Sequence, residues 1–287
     1  MPSPTLFAFG DNCLDVYLEV GGYTVGGNAL NVAVGWQRLN GQVHYRGVIG
    51  TDQEAGLLLS GLTHSSLSTE GLAVKPGSTG VTFLASRDGD RTLLFEDFGV
   101  GSQLELLDQD IALARVADRT HIAGLPPQSG VVPQLVASGA VVSVDLSTNH
   151  STAELHGVTT VFASHDDPDP ATAISLATEL LDAGCKEAVV TRGEHGAIVL
   201  SGCEPPVTIP AAPTVVTDTC GAGDAFIATY SHQRACGFSS AQAGAAASNA
   251  AAQTCRHLGG WPQPIHPVTD SLRERAAAAG VPLTQLP

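Results

Sequence analysis

The sequence predicts an α/β fold in which a mainly parallel sheet is covered by helices on both faces, with a small β lid. Strand-like runs alternate with helical segments along most of the 287 residues, which is typical of parallel sheets buried under helices. A hydrophobic content of 43% allows a full core. One strand-turn-strand run interrupts the alternation. We therefore expect a single domain over residues 1–287, with a lid from about residues 11–25 and 75–100.

A β-α-β unit opens the chain. Asn28 is a favourable N-cap residue and precedes apolar positions at helical spacing, so we expect Asn28 to cap the first helix. Apolar runs between turn residues mark the strands around this helix. The expected elements are a strand at residues 6–9, an alternating strand at 14–20, the helix at Asn28, a strand at 43–49 and a helix after Thr51.

Two strand-like runs at residues 81–86 and 91–98 break the alternation of strands and helices. They are joined by Arg87-Asp88-Gly89-Asp90, a sequence typical of a hairpin turn. We expect the hairpin, together with the segment after Asp11, to form a lid that covers a site.

The second half of the chain returns to alternating strands and helices. Apolar, β-branched runs predict the strands, and long alanine-rich segments predict packed helices. The expected strands lie near His121 and at residues 141–144, 158–162, 188–191 and 197–200, and the expected helices cover residues 224–235, 240–255 and 268–279.

The charge balance excludes some partners. A formal net charge of −15 argues against nucleic acid and against an anionic membrane, because both require a basic surface. No apolar run approaches the roughly 20 residues of a membrane span, and the first residues have neither a basic leader nor a cleavage site. We therefore expect a cytoplasmic protein.

Neither the cysteines nor the histidines predict a metal site. The cysteines form no CxxC pair, so we expect reduced, structural thiols, and Cys220 alone lies in a loop of chemical interest. The histidines lack the spacing of zinc ligands. The residues concerned are Cys13, Cys185, Cys203, Cys220, Cys236, Cys255, His121, His165, His195 and His257.

The loop at residues 216–226 is the strongest candidate for chemistry. Gly221, Ala222 and Gly223 are small, so the backbone is open to a ligand, and the helix that follows directs N–H groups and its positive dipole end to the same place. Asp224 has two interpretations. It is either an N-cap or a base that accepts the proton of an attacking hydroxyl. A cap alone would not require three small residues before it, so we favour the base.

Two segments carry a family resemblance. DTCGAGDAF, from Asp218 to Phe226, resembles the DTxGAGD signature of ribokinase-like (PfkB) carbohydrate kinases, and GGNALNVAV, from Gly26 to Val34, resembles their N-terminal Gly-Gly-Asn signature. The likeness extends from Phe7 to about Trp261. It implies transfer of phosphate from ATP, with Mg²⁺, to a hydroxyl of a small sugar.

The same resemblance implies a role for each site residue. Asp224 would be the catalytic base, and Gly221, Ala222 and Gly223 would form the anion hole. Without the family, a sugar-binding role and a structural role fit two of these residues equally well. Asp15 could be a solvated carboxylate at a strand end, and Asn31 could be a residue on the polar face of a helix. The implied sugar-binding residues are Asp11, Asp15, Gly26, Gly27 and Asn31, and the implied nucleotide-binding residues are Thr191, Gly193, Ser248 and Asn249.

Three positions bear on cations or on departures from the family pattern. The Asn-x-x-Glu motif that orders magnesium-bound phosphate is replaced by Ser164-His165-Asp166-Asp167, so Asp167 is the expected substitute for the Glu. Asp218 matches an Asp that helps to bind a monovalent cation, with K⁺ as the candidate ion, although a Thr-Asp-Thr turn also stabilises itself. In the turn that begins at Gly50, Ala55 replaces the last Gly.

Within the family, the sequence resembles fructoselysine 6-kinase-like members. GDNCLDVY after β-strand 6–9, the FAS segment at Phe162, Asp145-Leu146-Ser147 and HLGGW from His257 all resemble that branch. Fructoselysine is therefore the expected acceptor, with another ketose, ribose, 2-keto-3-deoxygluconate or a nucleoside as alternatives. A homodimer formed through the lid is a further expectation.

Two other classes of function are weaker. A dinucleotide-dependent dehydrogenase is disfavoured because no GxGxxG follows the first strand, and the sequence has no GxxxxGK[ST] phosphate-binding loop either. A non-catalytic sugar or nucleotide sensor would fit the altered Asn-x-x-Glu segment. The intact Asp224 and its glycines argue against that sensor.

Overall fold

The computed structural model describes residues 3–87, 90–126, 129–146, 151–202 and 205–281. The strands are β1 (Thr5–Gly10), β2 (Cys13–Tyr17), β3 (Gly22–Gly26), β4 (Gln42–Ile49), β5 (Leu72–Val74), β6 (Val81–Arg87), β7 (Asp90–Asp97), β8 (Arg119–Ala123), β9 (Val142–Asp145), β10 (Thr160–Ser164), β11 (Glu187–Thr191), β12 (Ala197–Ser201), β13 (Val207–Ile209) and β14 (His266–Pro267). The α-helices are α1 (Asn28–Arg38), α2 (Gln53–Leu62), α3 (Asp108–Val116), α4 (Val131–Ala137), α5 (Pro170–Asp182), α6 (Ala222–Ala235), α7 (Ser240–Thr254) and α8 (Asp270–Ala278).

The larger sheet has the strand order β13-β12-β11-β10-β9-β8-β1-β4-β5. Neighbouring strands from β11 to β5 run parallel, and only β12 and β13 pair antiparallel at one edge of the described sheet. The expectation of a mainly parallel sheet is confirmed. Its strands carry continuous apolar runs because helices bury both faces.

Two apolar clusters lie on opposite faces of this sheet. Alternate residues of β1 point to opposite faces, so Leu6 lies in one cluster and Phe7 in the other. The first cluster includes Trp36 of α1 and Ile227 of α6, and the second includes Leu135 of α4. Helices therefore cover both faces, as the sequence predicts.

The second sheet has the order β14-β3-β2-β6-β7, and we call it the lid sheet. It contains the predicted hairpin, whose register runs from Val81 opposite Asp97 to Arg87 opposite Asp90. The predicted turn residues Asp88 and Gly89 lie outside the described residues. The pairing of β14 with β3 was not predicted.

The structure corrects two expectations near the N-terminus. The expected strand at residues 14–20 ends at Tyr17, and after a turn the chain returns as β3. Asn28 does not cap α1: the N-cap is Gly27, at a φ of 110° that favours glycine. The carboxylate of Asp11 accepts hydrogen bonds from the N–H groups of Asn28 and Ala29 instead. A distant aspartate thus replaces the local cap.

Most other predicted boundaries lie within two residues of the observed ones, including those of α7 and α8. Across the described ranges, no helix is both long and apolar enough to cross a membrane. Five cysteines are free thiols, and Cys203 lies outside the described residues. No cluster of three potential metal-ligating His, Cys, Asp or Glu side chains occurs in the part of the chain that the structure describes.

Candidate active site

The predicted catalytic and sugar-binding residues lie around the carboxyl end of β1 and the start of the lid sheet. β1 ends at Gly10, Asp11 follows it, and the lid sheet begins at Cys13. Ligands of open parallel sheets bind at the carboxyl ends of the strands. Asp11 at this edge binds the start of α1, which brings α1 beside α6.

Asp224 lies in the first turn of α6, and its side chain is 7% exposed. The N-cap of this helix is Gly221, at a φ of 72°, so Asp224 is the third helical residue and does not cap the helix. The Nδ2 of Asn31 donates a hydrogen bond to Asp224 Oδ2 at 2.7 Å. The amide fixes one carboxylate oxygen, as the placement of a base requires.

The small residues before Asp224 have different surroundings. A Cβ at Gly223 would meet no described atom within 4 Å, so the backbone there faces open space. The N–H of Ala222 donates to Thr219 O and that of Ala225 donates to Gly221 O. Helix geometry supplies no acceptor to N–H groups of the first turn, including that of Gly223. The start of α6 thus fits an anion.

Gly221 is required for packing rather than for access. A Cβ there would lie 2.3 Å from the Cα of Gly260, and a Cβ at Gly260 would lie 2.5 Å from the side-chain amide of Asn31. Values below 3.0 Å do not occur without a shift of neighbouring atoms. The two glycines therefore let the late 257–261 turn, the anion-hole loop and α1 approach one another.

Asp15 connects the lid sheet to the anion-hole loop. Its carboxylate accepts hydrogen bonds from the thiols of Cys13 at 3.2 Å and Cys220 at 3.6 Å. A Cβ at Gly26 would lie 1.9 Å from Asp15 Oδ2, so glycine is needed on the adjacent strand. Burial, followed by the charges of Asp15 and Asp11, raises the pKa of the Cys13 thiol, which therefore stays protonated and donates.

The five predicted sugar-binding residues divide into two sets. Asp15 and Asn31 adjoin the loop that carries Asp224, and Gly26 packs against the carboxylate of Asp15. Asp11 and Gly27 form the start of α1, and burial raises the pKa of Asp11 against the lowering effect of its backbone hydrogen bonds. A direct role of Asp11 toward sugar stays a prediction.

The predicted nucleotide-binding residues lie on two elements. Thr191 ends β11 and donates to Ala163 O, and Gly193 follows at a φ of 51°. On α7, Ser248 is buried and binds the backbone of Pro210 and Ala212, which fixes that loop. Asn249 is exposed and donates to Ala245 O.

Comparison with known proteins assigns the family. The model of the pfkB family carbohydrate kinases matches residues 12–137 and 151–264. The chain belongs to this family. It is therefore an ATP-dependent sugar kinase, as the two signature segments predict, and its family uses ATP and usually Mg²⁺.

Individual relatives agree with this assignment. The chain is 30% identical to fructoselysine 6-kinase of Shigella flexneri over 90% of this chain and 99% of the relative. It is 32% identical to fructosamine kinase FrlD of Bacillus subtilis over 78% of this chain and 81% of the relative. The structure of Arabidopsis thaliana ribokinase complexed with ribose and ATP superposes with a TM-score of 0.78 at 18% identity, covering 90% and 94% of the two chains.

Asp167 fits the magnesium role that this kinase family implies. Its carboxylate accepts hydrogen bonds from the N–H of Asp169 at 2.8 Å and from Thr172 Oγ1 at 3.2 Å. These bonds, that of Asp169 first, hold the pKa of Asp167 below its usual range. Asp167 is half-buried, and Arg192 next to Thr191 binds its backbone. An ionised carboxylate with free lone pairs beside the predicted nucleotide-binding residues suits Mg²⁺.

Asp218 lies six residues before Asp224 and has another environment. It is 1% exposed, and its Oδ1 accepts the N–H of Cys220 at 3.0 Å. Its Oδ2 accepts the hydroxyl of Tyr17 at 2.8 Å and the N–H of Gly259 at 3.0 Å. These donors use three of the roughly four acceptor positions of the carboxylate.

Sequence reasoning missed three residues that shape the site. Tyr17 reaches Asp218 across 201 positions, a pairing without any local signal. Gly259 and Gly260 pack against Thr24 and Asn31, whereas their motif, HLGGW, indicates from sequence only the branch of the family. A pair of adjacent glycines before a buried Trp261 is the signal that predicts a close backbone approach.

Proposed function

We propose that this kinase transfers the γ-phosphoryl group of ATP to the 6-hydroxyl of a fructosamine such as fructoselysine. The support from sequence is the 30% and 32% identity to the fructoselysine and fructosamine kinases over most of their lengths. The acceptor would lie between the lid sheet and α1, near Asp15, Gly26 and Asn31.

The observation that carries the proposal is the buried Asp224 carboxylate, fixed by Asn31 at 2.7 Å beside the open backbone of Gly223. In the proposed mechanism Asp224 accepts the proton of the acceptor hydroxyl as its oxygen attacks phosphorus. N–H groups at the start of α6, with Gly221 and Ala222 setting their positions, stabilise the charge on the transferring group. Positioning and charge stabilisation supply most of the catalysis.

The nucleotide side of the proposal uses the other end of the site. Thr191 and Gly193 would contact the nucleotide, and Ser248 and Asn249 would lie on the adenine side. When bound, Mg²⁺ neutralises phosphate charge, and Asp167 would hold it. The lid sheet would exclude water from the transfer.

A small crevice favours an amine-bearing acceptor over its rivals. It has a volume of about 40 Å³, lies at the carboxyl ends of β8 and β9, and is lined by Asp145, Glu154 and Ser129. Gly124 in its lining adjoins Asp11. Acidic side chains attract the cationic amine of a fructosamine and repel a sugar acid such as 2-keto-3-deoxygluconate. Ribose, a neutral ketose or a nucleoside gains no such attraction.

The test is ADP release by the purified protein with ATP and magnesium against ketosamines, ketoses, aldoses, sugar acids and nucleosides. We expect the highest kcat/KM with fructoselysine and a 6-phosphate product by NMR. Asp145→Asn should raise the KM for fructoselysine more than that for fructose, whereas Asp182→Asn on the exposed end of α5 should change neither. A higher kcat/KM for ribose or a nucleoside would refute the fructosamine assignment, but the assignment of kinase activity would stand.

The homodimer through the lid sheet stays a prediction. Its support is the exposed apolar side chains of Val20, Leu93 and Leu94 on or beside that sheet. Cytoplasmic location likewise stays a prediction.

A further inference from the structure

Three hydrogen-bond donors from three segments meet at the Asp218 carboxylate. Tyr17 comes from β2 of the lid sheet, Cys220 from the anion-hole loop and Gly259 from the 257–261 turn. The Gly259 N–H also lies 3.1 Å from the Tyr17 hydroxyl oxygen. Tyr17 and Asp218 are each 1% exposed, so this junction is closed to solvent.

We propose that these internal donors stand where the family resemblance implies a monovalent cation, so that this kinase turns over without potassium. Tyr17 is then a positioning residue, because it acts on the anion-hole loop through Asp218. The inference rests on the kinase activity of the family and not on the identity of the acceptor.

The chemistry of the carboxylate supports this replacement. A carboxylate offers about four lone-pair sites, and the three donors already use all but about one of them. A cation at the same oxygens would face the positive hydrogen ends of these donors. Burial, more than the nearby charges, raises the pKa of Tyr17 well above its ordinary value, so the hydroxyl keeps the proton that it donates.

The donors also satisfy the charge of Asp218 without a cationic side chain. Among the described ion pairs, none involves Asp218. Hydrogen bonds to an ionised acceptor are about twice as strong as neutral ones, and three of them offset much of the desolvation of the carboxylate. The loop at Gly221–Asp224 is thus positioned by groups of the chain itself.

The first experiment is a cation series on the wild-type full-length chain. Chlorides of potassium, sodium and tetramethylammonium are compared at one ionic strength of about 0.1 M. The readouts are the thermal midpoint, the Kd of a non-hydrolysable ATP analogue with magnesium, and kcat with whichever acceptor the ADP screen identifies. We expect kcat and the analogue Kd to agree within about twofold among the three salts, and the thermal midpoint to agree within about 1 °C. A potassium-specific rise of about tenfold in kcat or in analogue affinity would overturn the proposal.

The second experiment removes the hydroxyl with Tyr17→Phe. We expect kcat in tetramethylammonium to fall by about tenfold, and potassium to restore part of it, because only two donors then remain on the roughly four acceptor positions of Asp218. The matched control is Tyr23→Phe on the adjacent β3, whose ring stacks on His266, and it should show neither effect. A loss in Tyr17→Phe that potassium leaves unchanged would overturn the replacement. If that variant fails to fold, the wild-type series still decides.

Discussion

The two ends of the 218–224 loop differ in what surrounds the same type of side chain. Asp218 is held by three donors from three segments. Asp224 has the amide of Asn31 on one oxygen and lies beside the open backbone of Gly223. Both are buried. The sealed end, at Asp218, is held by other segments of the chain. The open end, at Asp224, adjoins the free space beside Gly223, where we propose that the reaction takes place.

The glycines of the loop follow the same division. Gly221 is near the sealed end and is required because its φ is positive and Gly260 is in contact. Gly223 has ordinary helical geometry and free space around it. The motif therefore combines one glycine required by packing with one that we propose is required by the ligand, and a signature sequence does not distinguish the two.

The largest expected effect tests the two carboxylates against each other. Asp224→Asn keeps the shape but removes the base, so kcat should fall by about 10²–10⁴-fold while ATP affinity and the thermal midpoint change little. Asp218→Asn should instead lower the free energy of unfolding by about 1–3 kcal/mol, because an amide N–H group would face existing donors. Steady-state kinetics and chemical denaturation measure both. Near wild-type kcat in Asp224→Asn would remove Asp224 from the role of base.

The next largest effect distinguishes the role of Gly223 from that of Gly221. Gly223→Val should lower kcat by about 10²-fold, because the branched side chain fills the space before the N–H groups, with little change in the unfolding midpoint. Gly221→Val should lower the free energy of unfolding by about 2 kcal/mol or more, from its positive φ and the contact with Gly260. Midpoints and kcat are measured on both variants. Unfolded Gly223→Val protein would show that Gly223 is structural too.

The smallest effect concerns the lid sheet. Binding of a proven acceptor should slow amide hydrogen exchange in β6 and β7 by about tenfold or less, because the acceptor contacts the lid and the strand ends together. Exchange at Tyr17, next to the sealed end, should stay slow with or without acceptor, and β9 serves as the internal control. ATP hydrolysis without acceptor should be a small fraction of the coupled rate. Unchanged exchange in β6 and β7 would refute closure of the lid but not the role of Asp224.

The parts of the fold that follow from local patterns were predictable. The alternation of strands and helices and the 81–98 hairpin depend on periodicity and turn residues. The cap of α1 was not predictable from a local pattern, because the carboxylate of Asp11, seventeen positions before Asn28, accepts the hydrogen bonds at the start of the helix. The strand β3, GYTVG, has two glycines in five residues and little apolar pattern, so only its pairing with β2 identifies it.

The candidate site shows the same limit. Asp224 and the small residues before it form a continuous motif, so the sequence predicts them together. The contact of Asn31 with Asp224 joins positions 193 apart, and the family resemblance implied Asn31 only as a sugar-binding residue, not as the partner of Asp224. Tyr17 and Asp218 belong to no common pattern. Long-range polar pairs depend on the completed fold, and one sequence carries no record of them.

The attachment of β14 to the lid sheet has a consequence for biosynthesis. The side-chain amide of Gln263 exchanges two hydrogen bonds with the backbone of Val25, and the N–H of Val268 donates to Gly21 O. Strands β2 and β3 leave the ribosome early, but the segment that completes their edge emerges more than 230 residues later. During that interval the growing chain exposes an unpaired strand edge, which is open to wrong partners. Slow elongation should therefore favour aggregation or chaperone binding at β3 until residues 263–268 are synthesised.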